Sequence, residues 1–111
     1  DKTMGLLTAS MRMFTLNSQR LDLEYKIQLV SQAKSDLTVQ DAQLINAGTD
    51  LSADSPVLKQ LEARKERLHL LEKKLDQQMM QYQSQLKMVE TELKSCQNQF
   101  DKNVATSCGY Q

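Results

Sequence analysis

Few side chains here could do chemistry. His69 is the lone imidazole, and Cys96 and Cys108 are the two thiols. A nucleophile needs a base within hydrogen-bond reach, and a structural metal site needs four ligands at short, regular spacing. His69 is remote in sequence from both thiols, and neither thiol has a second ligand beside it. An 11-residue spacer inside a continuing helix would also hold Cys96 and Cys108 too far apart for a disulfide. Both are read as reduced, structural thiols, with Cys96 acting as a small packed hydrophobe. No carboxylate pair, Ser–His pairing or phosphate-cradling Gly loop occurs. No enzymatic activity, metal or cofactor is expected.

The charged residues point the same way. The chain carries 14 basic and 14 acidic side chains, for a net charge of zero. That removes the electrostatic case for a dedicated nucleic-acid or acidic-membrane binder. Lys59, Arg64, Lys65, Arg67, Lys73 and Lys74 do cluster, but Glu62, Glu66 and Glu72 break the cluster and no aromatic interleaves with it. It reads as a solvated helix face. The run Gln77-Gln78-Met79-Met80-Gln81-Tyr82-Gln83-Ser84-Gln85 reads as polar helix surface with Met contacts rather than a prion-like tract.

The elements that must carry these residues follow from composition. Within 111 residues there are 17 Leu and 14 Gln, against three Gly and one Pro. Sheet folds of this size need many turns, and four turn-forming residues cannot supply them. The chain is therefore all-α. Its one break is Asn46–Pro56, where Gly48 suits a left-handed position past a helix end and Ser55-Pro56 suits a capped helix start. This places helix 1 over about 6–47, a turn over 48–55 and helix 2 over about 56–106, with a tail at 107–111. Asn17-Ser18 and Ser35-Asp36 are the weakest points of helix 1. A break at Ser18 or Ser35 would give a compact three- or four-helix globule instead.

Helix 2 carries a heptad. Leu58, Lys65, Glu72, Met79, Leu86, Leu93 and Phe100 share one core position, and Leu61, Leu68, Leu75, Tyr82, Val89, Cys96 and Asn103 the other. Eleven of these fourteen are apolar, a strong coiled-coil signal. Helix 1 has a matching stripe from Leu6 through Ala9, Met13, Leu16, Arg20, Leu23, Ile27, Val30, Lys34, Leu37 and Asp41 to Leu44. Folding one helix back on the other with the tip at Ala53 pairs residues whose indices add to about 106. Asp41 then meets Lys65, Lys34 meets Glu72 and Leu6 meets Phe100. Opposite charges falling together in one register argue for a long antiparallel helical hairpin, with polar pairs fixing the register. Arg20 faces Leu86 and has no such partner.

A two-helix hairpin can bury one stripe per helix, and more remains. Leu7, Met11, Phe14, Leu21 and Tyr25 form a second stripe on helix 1, and Leu70, Leu71, Met80 and Met88 lie outside the seam of helix 2. Contiguous apolar surface of this kind marks a partner face. The expected partner is a second copy of the chain, giving a homo-oligomer, larger bundle or filament. The alternative partner is an amphipathic helix of another protein, held by a small coiled-coil chaperone or adaptor through Met11, Met13, Phe14, Met79 and Met80.

Residues 1–3 are read as preceding a natural start at Met4. No basic segment followed by an apolar stretch is present, so no cleaved signal peptide is expected. The longest apolar runs, of two to three residues, exclude a membrane span. Met4-Gly5 lacks the Ser or Thr of a myristoylation signal, Ala9 standing in that place. The compartment is then the cytoplasm or a destination reached without the general secretory signal.

Two resemblances complete the reading. Met4-Gly5-Leu6-Leu7, with Ser10, Arg12, Phe14, Leu16, Arg20, Asp22 and Glu24, resembles the opening of short uncharacterised helical proteins of gut and environmental bacteria. It covers about a fifth of the chain. The layout of helix, Ser/Asp/Pro turn and Leu- and Gln-rich helix is similar to needle and rod subunits of type III secretion systems. That resemblance implies a bacterial polymerising subunit, exported without a cleaved signal, that packs into tubes through its helices. This chain is longer than the usual needle subunit and has a single Pro in its turn.

Overall fold

The computed structural model describes residues 2–108, with side chains described from Thr3 to Ala105. Two helices, α1 (Lys2–Gly48) and α2 (Pro56–Cys108), form a long antiparallel hairpin, with no strand among the described residues. Helix α1 begins four residues before the position expected from sequence and passes Ser18 and Ser35 without interruption. Several of its polar side chains bond within the helix. Thr15 and Thr38 donate their hydroxyls to the carbonyls of Met11 and Lys34, and Gln32 Nε2 donates to Asp36 Oδ1 at 3.1 Å. With a continuous α1, the compact multi-helix alternative does not form. Cys108's side chain and the tail from Gly109 onward lie outside the described residues.

The turn is built differently from the expectation at one end. Gly48 closes α1, and no glycine among the described residues has positive φ. The helix ends in right-handed turns instead. Thr49 N–H donates to Asn46 O, Leu51 N–H donates to Gly48 O, and the Thr49 hydroxyl donates to Asn46 O at 2.8 Å. These bonds satisfy the last carbonyls, so no left-handed cap is required. At the other end the expectation holds. Ser55 Oγ accepts from Val57 N–H at 3.2 Å and Ser55 O accepts from Lys59 N–H, an N-cap followed by Pro56 in the first turn.

The chain divides into two compact units, Asp1–Lys26 with Tyr82–Gln111, and Ile27–Gln81. In both, the seam is the one read from the heptads. Every seam position of α1 and α2 is buried or half-buried. In the first unit the enclosed residues are Ala9, Leu16 and Leu23; in the second they are Val30, Leu37 and Leu68. The five from α1 recur every seventh residue. A hairpin of two helices covers each side chain from one direction only, so one row lies beneath its partner helix while the other stays half-covered. Leu16, at 1% exposure, is the most enclosed.

Candidate assembly surface

The seam charges are not paired as the register arithmetic suggested. Lys34 Nζ lies 2.7 Å from Asp76 Oδ1, one helical turn beyond Glu72. Glu72 Oε2 instead lies 3.4 Å from His69 Nδ1 within its own helix. The apolar register is nonetheless close to the expected one. Cys96 Sγ donates to Ala9 O at 3.3 Å, and Gly48 lies against Leu58. The lysine stem spans a turn of helix, so a seam ammonium reaches past the seam to an exposed carboxylate in water. Asp41 has a short side chain and cannot do the same. Its Oδ1 is enclosed without a hydrogen-bond partner, as is Arg20 Nε. Lys65 is half-buried on α2, and no bond joins it to that oxygen.

Two polar clusters of the first unit were missed from sequence. Arg12 Nη2 bonds Glu92 Oε2 at 2.6 Å across the two helices. Both residues flank the seam, but a sum of 106 sets Arg12 opposite Lys94, so the same index arithmetic misses the contact with Glu92, two residues earlier. Lys26 Nζ lies 2.8 Å from Asp22 Oδ2, one turn earlier in α1, and 5.9 Å from the centroid of the Tyr82 ring. The Asp22 carboxylate, by hydrogen bond first and charge second, raises the Lys26 pKa above its ordinary value. With both partners largely solvated, these pairs orient side chains and add little stability.

The second stripe of α1 is exposed in full. Leu7, Met11, Leu21 and Tyr25 are all more than half exposed, and Phe14 stands 76% exposed. Met4 extends the row. Together Met4, Leu7, Met11, Phe14, Ser18, Leu21 and Tyr25 alternate steps of three and four residues, a heptad of their own over three repeats. This row lies on the side of α1 away from the seam, so α1 has two opposed apolar faces. From Thr3 to Gln19 the single charged residue is Arg12, and it is committed to Glu92.

Helix α2 offers no such row. Leu70, Leu71, Met80 and Met88 are exposed, but gaps of eight and nine residues filled with Lys, Glu and Gln separate them along the helix. Of the residues proposed for an adaptor's contacts, Met13 and Met79 are half-buried in the seam, whereas Met11, Phe14 and Met80 are open. The grooves along the hairpin are shallow, and no group of three or more His, Cys, Asp or Glu side chains converges among the described residues. No helix among them is long and apolar enough to cross a membrane. Compared with known proteins, the chain matches no family model, no curated protein and no solved structure.

Proposed function

We propose that this protein is a non-enzymatic structural subunit that self-assembles through its helices, as in a bacterial filament, tube or secretion-associated assembly. One observation carries the reading: α1 has a second heptad row, from Met4 to Tyr25, whose large apolar side chains are all more than half exposed on the side away from the hairpin seam. Interface cores are poor in Lys, Glu and Asp and rich in aromatic residues and Met, and this row holds Met4, Met11, Phe14 and Tyr25 with no charged member. An isolated hairpin gains nothing from keeping such a row wet.

The adaptor reading has one specific observation in its favour. Met4, Met11, Met80 and Met88 are all exposed, and Met is the side chain best able to fit partners of varied shape. The two readings separate by mass in solution. Light scattering after size exclusion, over a range of concentration and with negative-stain images, should show growth into uniform fibres or tubes for a structural subunit. A mass fixed at one chain would refute self-assembly, and a fixed dimer or tetramer at every concentration would refute the filament reading and favour the adaptor.

A further inference from the structure

We infer that the hairpin carries a built-in opening device: the second unit, Ile27–Gln81, comes apart while the first stays closed. The observation behind it is where the charged seam positions fall. Each unit holds thirteen seam positions. In the second unit four of them are charged, namely Lys34, Asp41, Lys65 and Glu72, whereas in the first only Arg20 is.

The contacts of these four do little to hold the two helices together. Lys34 reaches out of the seam to the exposed carboxylate of Asp76, and Glu72 turns to His69 of its own helix. Asp41 Oδ1 is enclosed and unbonded. The heptads place the four in two layers, Lys34 with Glu72 and Asp41 with Lys65, on either side of Leu37 and Leu68. Those leucines are two of the three enclosed residues of the unit, so its apolar seam is cut on both sides of its best-packed layer. In the first unit Arg20 Nε is also unbonded, but it makes the single charged interruption between Leu16 and Leu23.

Chain connectivity argues the other way, and magnitudes decide. A hairpin that frays from its termini keeps its short turn, whereas opening Ile27–Gln81 leaves a loop of 55 residues where seven had been. Loop-closure entropy penalises that change by about 20-fold in the equilibrium. Each half-buried charged position forfeits apolar burial worth about fivefold. Three more such positions in the second unit outweigh the loop. Cooperative units of unequal stability within one fold open separately on the same grounds. The consequence is that the end bearing the turn can change shape while the face from Met4 to Tyr25 stays formed on a closed first unit.

Native-state hydrogen exchange of the full chain, read by mass spectrometry of peptic fragments, tests this. Amides of residues 30–46 and 58–75 should show protection at least about tenfold lower than those of residues 9–23 and 86–96. Two mild substitutions give the signature of ordered opening. Leu16→Val should speed exchange in the first unit about fivefold and leave the second unchanged, because opening the second unit does not expose Leu16. Leu68→Val should speed exchange in both, since full unfolding includes the second unit.

Equal protection in the two units, or both variants speeding every amide, would show one cooperative hairpin and overturn the inference. Lower protection in the first unit would show fraying from the termini and overturn it as well. The same ordering should persist in Phe14→Glu, whose exposed row is broken by a charge. Its loss there would trace the protection of the first unit to neighbouring copies, overturning the opening device while leaving self-assembly intact.

Discussion

Lys34 Nζ sits 2.7 Å from Asp76 Oδ1, so a lysine in the apolar seam of one helix is satisfied by a carboxylate beside the seam of the other. The pair joins α1 to α2 within the unit that contains the turn. Its partners are both substantially exposed, with side-chain exposures of 41% and 56%. A double-mutant cycle between Lys34→Met and Asp76→Asn should give a coupling of about 0.2–1 kcal/mol, falling with added salt. The same cycle with Glu72→Gln in place of Asp76→Asn should be additive. Coupling to Glu72 and none to Asp76 would restore the register read from sequence.

Asp41 occupies a seam position with one oxygen enclosed and unbonded. An unsatisfied polar atom costs about 1–3 kcal/mol, and apolar burial there would be favourable. Asp41→Leu should therefore raise the urea midpoint, by about 1–2 kcal/mol in stability. If Asp41 is held by Lys65, the substitution will lower the midpoint instead.

Gly48 ends α1 with helical backbone, and a Cβ there would meet Leu58 Cδ1 at 3.6 Å, an ordinary contact. Gly48→Ala should stabilise the chain by about 0.5–1 kcal/mol through helix propensity and lost unfolded-state freedom. A left-handed cap at this position would make the same change clearly destabilising. Thermal unfolding of the two proteins decides between them.

Leu16 and Phe14 stand two residues apart with opposite roles. Leu16 is 1% exposed, and Leu16→Ala should cost about 2–4 kcal/mol of hairpin stability. Phe14→Ala should leave the stability of the single chain within about 0.5 kcal/mol, as a surface change does. Both values come from denaturant curves at concentrations where Phe14→Glu is monomeric. A large loss for Phe14→Ala under those conditions would place Phe14 in the hairpin core.

Lys26 is held in its charged form by Asp22. Its pKa is raised in the folded state, so its contribution to stability is fully present below the unfolded-state lysine pKa. That contribution is lost as pH rises through the higher folded-state value. NMR titration of the Lys26 side chain should show a pKa above that of a free lysine, returning toward it in Asp22→Asn. An unchanged Lys26 pKa in that variant would show that Asp22 is not the cause.

Much of this architecture is a property of the sequence itself. Heptads at fixed positions of α1 and α2 require a seam whatever else the chain does, because only residues spaced three and four apart share one face of a helix. Scarce Gly and Pro leave one place to turn, and Ser55-Pro56 states where the second helix starts. The second row on α1 is legible for the same reason, since its period is as regular as that of the seam. What local pattern could not decide was how each end is satisfied in three dimensions. The terminus of α1 depends on Thr49 reaching Asn46, which made a left-handed Gly48 unnecessary. The partners of Lys34 and Arg12 depend on where long side chains extend once two helices lie together, and Coulomb attraction in water selects an exposed carboxylate within reach over one that an index sum places opposite. Periodicity determines which residues face each other, and only the packed pair of helices determines which of their polar atoms meet.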